Sequence, residues 1–281
     1  MILVFGSTGQ VATELAGVAG SRRLLCLGRA QADLSDPAAC AAAIMHHRPR
    51  AVINAAAYTA VDRAETEEPL AHTINARAPA AMAQACARAG VPFLHVSTDY
   101  VFGGQGTTPH LPGAPTAPLN AYGRTKLAGE EGIRAAGGAH MILRTSWVFS
   151  AHGGNFVITM LRLSQTRDAL SVVDDQIGGP TPASGIADAL LRISDAMLDG
   201  HHGGTHHYTG APDASWADFA RETFAQAGKT VSVTGISTAQ YPTPAPRPLN
   251  SRLDCASLKD SFDISQPSWR GALTDVLKAL T

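Results

Sequence analysis

The chain predicts an α/β fold: a doubly wound parallel sheet with a smaller, interleaved C-terminal part. Three observations carry that reading. Short apolar runs alternate with longer helical patterns through residues 1–147, which implies right-handed βαβ units and a parallel sheet covered on both faces. A glycine-rich turn joins the first apolar run to the first helical pattern. The length, 281 residues, suffices for one large domain or two small ones and for a substantial core.

The elements follow in order. Residues 2–5 read as a strand, 10–19 as a helix and 24–27 as a second strand. Asp36 caps a helix that opens with Pro37, a residue suited to the first helical position. Residues 51–54 form a third strand. The Ala-rich stretch 61–89 is helical, with Pro69 and Pro79 as interruptions or starts. A fourth strand spans 93–97, a helix lies within 119–134, and a fifth strand covers 141–144. Beyond residue 147 the pattern loosens: helices at 155–166 and 185–198, a short strand at 170–173 and another at 206–209. Segments near 168–174 and 204–210 are expected to return to the main sheet. Residues 107–118 and 241–248 are too rich in Pro for regular structure; the second is either a plain connection or a substrate loop.

Composition narrows the function. Hydrophobic residues make up 45% and charged residues 16%, the balance of a globular chain. The net charge of −1 provides no global field for nucleic acid or anionic membrane. Four cysteines, Cys26, Cys40, Cys86 and Cys255, show no metal-site spacing and read as reduced thiols. With no leader pattern and no apolar run near the roughly 18 residues of a membrane span, a cytoplasmic protein is expected.

The turn Gly6-Ser7-Thr8-Gly9-Gln10-Val11-Ala12 has chemical meaning. Glycine lets backbone N–H groups approach a pyrophosphate, and a helix N-terminus favours its charge. In this strand-turn-helix setting the pattern predicts a Rossmann-type dinucleotide site. Gly28 stands where an acidic residue would hold the ribose hydroxyls of NAD. Arg29 suits a 2′-phosphate, which favours NADPH and leaves NADH open; the plainer alternative is a solvated surface charge. Asp33 and Leu34 are placed near the adenine.

Tyr122 and Lys126 lie four residues apart, on one helix face. A nearby ammonium favours a phenolate and lowers its pKa, so the spacing suits a tyrosine acid tuned by a lysine. Thr98 ends the fourth strand, where ligands of open α/β sheets bind. Together with the glycine turn, this constellation resembles the short-chain dehydrogenase/reductase superfamily. The stretches Gly6–Gln10, Val52–Asp62, Ser97–Phe102, Tyr122–Lys126, Arg144–Phe149, Asn155–Val157, Asp175-Gln176, Pro180-Thr181 and Arg247–Ser251 are similar to the dTDP-4-dehydrorhamnose reductase family over nearly the whole chain.

That resemblance implies an NAD(P)H-dependent reduction of the C4 keto group of dTDP-4-dehydro-6-deoxy-L-mannose to dTDP-L-rhamnose. Carried onto this sequence, Thr98, Tyr122 and Lys126 are the catalytic trio. Gly6, Thr8, Gly9, Gln10, Val11, Arg29, Asp33, Leu34, Ala55, Ala56, Ala57, Tyr58, Asn75, Tyr122 and Lys126 meet the cofactor. Thr98, Asp99, Tyr100, Tyr122, Trp147, Asn155 and Arg247 meet the dTDP-sugar. The plainer alternatives are a core aromatic for Trp147 and a loop charge for Arg247. Residues 1–147 are expected to bind the dinucleotide and 148–281 mainly the substrate.

Some relatives dimerise around Mg2+. Glu14 fits one such place, but Ser184 stands where another carboxylate is expected, which weakens the metal bridge. A monomer or homodimer follows, with no nucleic-acid or membrane partner. The pairs His46-His47, His201-His202 and His206-His207 lack any H-E-x-x-H arrangement. The competing functions are another nucleotide-sugar reductase or epimerase, and a non-catalytic regulatory subunit on the same fold.

Overall fold

Four consecutive buried residues, Ile2–Phe5, form β1. Ile2 and Val4 pack into one core cluster, Leu3 and Phe5 into another. A strand apolar on both faces belongs inside a parallel sheet, and the rest of the first half is built around it. The computed structural model describes residues 1–280. Thr281, the last residue of the expected second segment, lies outside the described residues.

The first half runs β1, α1 (Gln10–Gly17), β2 (Leu24–Leu27), α2 (Pro37–His47), β3 (Ala51–Asn54), α3 (Val61–Ala64), α4 (Glu68–His72), a π-helical turn at Thr73–Arg77, α5 (Ala78–Ala89), β4 (Phe93–Thr98), α6 (Ala121–Ala135) and β5 (His140–Thr145). Asp36 caps α2 by accepting from the Ala39 N–H. Pro69 and Pro79 start α4 and α5, where a missing N–H costs no intrahelical bond. The stretch 61–89 is thus several short helices and a π turn, not one long helix.

The second half adds β6 (Val148–Phe149), α7 (Phe156–Leu163), β7 (Ala169–Val173), β8 (Ile177–Gly178), β9 (Thr181–Pro182), α8 (Ala183–Leu198), β10 (Gly204–His207), β11 (Ala214–Ser215), α9 (Trp216–Gln226), β12 (Ser232–Ile236), β13 (Asn250–Ser251), α10 (Ala256–Phe262) and α11 (Trp269–Ala279). The main sheet has six strands, all parallel, in the order β10-β5-β4-β3-β1-β2. One core cluster joins the sheet to α1 and α8, the other to α2 and α5. The sheet is therefore doubly wound. Among the described residues no helix is long and apolar enough to cross a membrane.

β10 starts at Gly204, two residues before the expected strand, and pairs parallel with β5. The segment near 168–174 departs from expectation. β7 does not enter the main sheet; it pairs parallel with β12. The reason lies in its pattern. Leu170 and Val172 are buried against Phe224 and Ala220 of α9, while Ala169 and Ser171 are exposed. Such alternation suits a strand with one covered face, not an interior parallel strand.

One buried ion pair ties α6 to the sheet. Arg144 of β5 donates to both carboxylate oxygens of Glu130, at 2.8 and 2.6 Å. Ser97 of β4 donates to the same carboxylate at 2.6 Å. Burial alone would raise the Glu130 pKa, but Arg144 and Ser97 hold it below the ordinary glutamate value.

Arg144→Met would remove the buried cation from Glu130, leaving Ser97 and the longer contacts of the half-exposed Arg134, and should cost about 3 kcal/mol in urea unfolding at neutral pH. Because the folded pKa is depressed, the stability from Glu130 is present above the ordinary glutamate range. It should fade as pH falls below that range, and the variant should lack this acid dependence.

Candidate active site

A cleft of about 740 Å³ opens outside the carboxyl ends of the central strands, the place where ligands bind in such sheets. Its floor begins at the glycine turn. Gly6 adopts φ +113°, and a Cβ there would sit 3.4 Å from the Ala12 methyl. Gly9 is the N-cap of α1 and provides no side-chain cap, so the first-turn amides are left for another acceptor. Thr8, Gly9, Gln10 and Val11 line the cleft. A Cβ on Gly28 would meet Ser7 Oγ at 2.7 Å and Gln31 Oε1 at 3.2 Å, so a larger residue there would turn these two side-chain ends aside. A pyrophosphate fits this cradle. Arg29 is on the rim, paired with Asp33 at 3.0 Å, and Leu34 lines the same end.

After β3, Ala55, Ala56 and Ala57 continue the floor. The next two expected cofactor residues lie behind it. The Tyr58 hydroxyl points away and donates to Glu67 at 2.6 Å. Asn75, buried in the π turn, is a clamp. Its Oδ1 accepts from the Tyr58 N–H, and its Nδ2 donates to the Tyr58 carbonyl and to Thr125 Oγ1. It thereby joins the loop after β3 to α6.

The N-cap Asn120 starts α6 by accepting from the Gly123 N–H at 2.8 Å. The same side chain donates to the Pro246 carbonyl, so the Pro-rich 241–248 segment is tied to the helix that carries Tyr122. Thr98, at the end of β4, accepts from the Tyr100 N–H and donates to Asp99 Oδ1 at 3.0 Å. Tyr100 packs edge-on against Tyr122, with ring centroids 5.5 Å apart.

Burial pushes the Tyr122 phenol up to about 12, opposed by a hydrogen bond with Thr98. Burial also raises Asp99 to about 6, against hydrogen bonds from Ser251 and Thr98. Lys126 is driven down to about 8 by burial, while Glu130 acts the other way. One expectation is corrected here. Lys126 does not lower the Tyr122 pKa in this structure. Its Nζ is turned to the Val96 carbonyl, at 2.7 Å, and to His95 Nε2, at 3.0 Å, and desolvation dominates the phenol.

Trp147 faces the cleft in a left-handed conformation, φ +50°. Its indole stacks on Trp216 at 3.7 Å and an interplanar angle of 13°. Gly178 makes room for it, since a Cβ there would lie 3.0 Å from the indole. Two expected substrate residues are engaged elsewhere. Asn155 caps α7 and donates to Gln10 Oε1 at 3.0 Å. Arg247 pairs with Asp62 at 2.9 Å and donates to the Ala245 carbonyl; it does not line the cleft. Glu14 is 3.8 Å from His152. Among the described residues no group of three His, Cys, Asp or Glu side chains is placed to hold a metal.

Sequence reasoning missed Trp216 and His95. Trp216 belongs to no motif, and only its stacking on Trp147 reveals it. His95 precedes the Ser97-Thr98 pair in β4, and its position three residues before the strand end at Thr98 was a usable signal.

Fold and site together define a dinucleotide-dependent reductase of the short-chain type, with a tyrosine and a lysine on the helix beside the cleft. The chain belongs to the dTDP-4-dehydrorhamnose reductase family: the family described as RmlD substrate binding domain matches residues 1–281. It is 42% identical over 287 residues to the dTDP-4-dehydrorhamnose reductase of Sinorhizobium fredii, covering 99% of this chain and 97% of that one. A solved dTDP-4-dehydrorhamnose reductase from Clostridium acetobutylicum superposes with a TM-score of 0.94 at 34% identity, covering 99% of each chain. Another from Bacillus anthracis, in complex with NADP, gives 0.93 at 31% identity, covering 99% of this chain and 98% of that one.

The tight seat of α6 is testable by one methyl group. A Cβ on Gly129 would run into the Asn75 carbonyl oxygen, whereas Gly17 on α1 has open space. Gly129→Ala should lower stability by about 1–3 kcal/mol, read in urea unfolding. Gly17→Ala should be neutral or slightly stabilising.

Proposed function

We propose that the protein reduces the C4 carbonyl of dTDP-4-dehydro-6-deoxy-L-mannose to give dTDP-L-rhamnose, with NADPH as the preferred reductant. The observation that carries this reading is one continuous cleft. It joins the glycine turn to Thr98, Tyr122 and Lys126, in a chain 42% identical to a named dTDP-4-dehydrorhamnose reductase.

The nicotinamide dinucleotide, when bound, supplies the hydride. The turn Gly6–Val11 would hold its pyrophosphate, Ala55–Ala57 would lie along it, Lys126 would meet its ribose, and Arg29 would meet a 2′-phosphate. Tyr122 carries the proton. With the phenol raised to about 12, it is fully protonated at neutral pH, as a general acid must be. It gives that proton to the carbonyl oxygen as charge develops there. Thr98 orients the phenol and stabilises the same oxygen. Asp99, Tyr100 and Trp147 form the wall that receives the sugar, while Asn155 and Arg247 support the wall through Gln10 and Asp62. Residues 148–281 contribute most of the substrate side. The reading is of a cytoplasmic enzyme, monomeric or homodimeric. The net charge of −1 is consistent with work away from nucleic acid and membrane surfaces.

The purified protein should consume NADPH when given this 4-keto sugar nucleotide. Tyr122→Phe should lower turnover by roughly 10²–10⁴-fold while NADPH binding persists. Turnover of a different sugar nucleotide alone would displace the substrate assignment. NADPH binding with no turnover of any such sugar would favour a non-catalytic subunit, and an undiminished Tyr122→Phe would remove Tyr122 as the acid.

A further inference from the structure

The stretch Asp175–Thr181 does not line the cleft, yet it wraps around Trp147, which does. Ser146 Oγ donates to the Gly179 carbonyl at 2.9 Å, and the Thr181 N–H donates to the Trp147 carbonyl at 3.1 Å. The pairing of β6 with β9 starts at the next residue, Val148 against Thr181. Gly178 leaves the indole its room. A bulky residue at φ +50° is a rare conformer, kept only where its surroundings over-determine it. Here the carbonyl of Trp147 and both of its chain neighbours are pinned to one segment.

The side chain is held from the same segment at one remove. Trp216 opens α9 and stacks on Trp147. Its Nε1 donates to Gln176 Oε1 at 3.1 Å, Gln176 Nε2 donates to Thr238 Oγ1 at 3.0 Å, and the Thr238 hydroxyl donates to Asp175 Oδ1 at 2.6 Å. An indole N–H can only donate. It therefore sets the amide with its oxygen toward Trp216, and each later donor follows in one direction to the carboxylate. Gln176 is 8% exposed, so water offers its amide little alternative. We propose that Gln176 and Trp216 are positioning residues for Trp147. The amide fixes the plane of the Trp216 indole, and that plane fixes the Trp147 indole at the wall that receives the sugar.

Two features set this arrangement apart from ordinary packing. Trp216 also meets Phe156 and Phe219, but at 4.7 and 6.4 Å between centroids and tilted by 48° and 30°. The near-parallel stack on Trp147, at 3.7 Å, is the tightest of these contacts. Apolar packing alone does not choose between the two edges of an indole, whereas a hydrogen bond at Nε1 does. The second feature is where the relay ends. Thr238 opens the 3-10 turn Thr238–Gln240, directly before the Pro-rich 241–248 segment. The far part of that segment is tied to Asn120 and Asp62. One connection thus runs from the cap of the helix that carries Tyr122 to the tryptophan pair.

The first test needs no substrate. The sequence holds three tryptophans, Trp147, Trp216 and Trp269, so the indole N–H signals of the 15N-labelled full-length protein can be followed one by one. Trp147→Leu and Trp216→Leu assign them. In the unsubstituted protein, NOE contacts should connect the rings of Trp147 and Trp216. Gln176→Met keeps the side-chain length and removes both amide bonds. It should shift or broaden the Trp147 signal together with that of Trp216. Trp269, whose N–H donates to the Pro212 carbonyl at 2.7 Å, should stay in place and report an intact fold. Rings that are not in contact in the unsubstituted protein would overturn the proposal, whether or not the variants fold. So would a Trp147 signal that stays still while Trp216 moves, or one that moves no more than Trp269.

The kinetic consequence rests on the proposed function. With the 4-keto sugar nucleotide, Gln176→Met should lower kcat/KM about tenfold, chiefly through KM, with NADPH affinity unchanged. The loss should vanish once the first indole is gone. Gln176→Met combined with Trp147→Leu should match Trp147→Leu alone, because one residue acts through the other. Independent, additive losses would overturn the proposal. Absence of turnover in the unsubstituted protein would count against the function alone, because the ring contacts and indole signals are read without substrate.

Discussion

The site depends on how closely α6 lies against the π turn and the end of β4. At Gly123 and Gly129 no Cβ fits: one would overlap the Tyr100 carbonyl, the other the Asn75 carbonyl. That approach places Tyr122 beside Thr98 and sinks Lys126 to the level of the sheet. It also explains why a π turn occurs at Thr73–Arg77. Extra-turn geometry is a common device at functional sites, and here it presents the Asn75 side chain to both the loop after β3 and Thr125. The catalytic helix is thus seated by backbone contact first and by side chains second.

Such close packing has an electrostatic consequence. Water is excluded from the titratable groups, so burial acts on each in the direction that disfavours charge. The phenol of Tyr122 rises, the amine of Lys126 falls and the carboxyl of Asp99 rises. Glu130 escapes because Arg144 and Ser97 supply direct partners. At neutral pH the Tyr122 phenol is therefore protonated, while Asp99 at about 6 and Lys126 at about 8 stay mostly charged but lie closer to neutrality than free side chains would. An acid that must release a proton only as charge develops on a substrate benefits from that arrangement.

Much of this was legible in the chain because its signals are local. The glycine turn sits between a strand and a helix, Tyr122 and Lys126 share a helix face, and Thr98 ends a strand. Each can be read within ten residues. The unread parts depend on partners far away in sequence. The exposed–buried alternation of Ala169–Val173 was visible, but its partner β12 lies some sixty residues on. Trp216 matters because Trp147 reaches it. Arg247 and Asn155 carry the right chemistry for a ligand, yet the fold spends them on Asp62 and Gln10. Lys126 was expected to tune Tyr122 because spacing alone put them together; the depth of burial and the histidine behind it were not encoded in that spacing.

The path of β10 has a consequence for how the chain can be handled. Partway through the smaller part, before β11, α9, β12, β13, α10 and α11 are laid down, the backbone returns to add Gly204–His207 to the outer edge of β5. A piece ending near residue 147 would keep the glycine turn, Thr98, Tyr122 and Lys126, yet it would bare the apolar Met141–Leu143 edge to solvent. Exposed edges of that kind invite pairing with other chains. The dinucleotide half is therefore not a module to be excised or swapped between relatives at the obvious midpoint. Any chimera has to carry the returning strand with it.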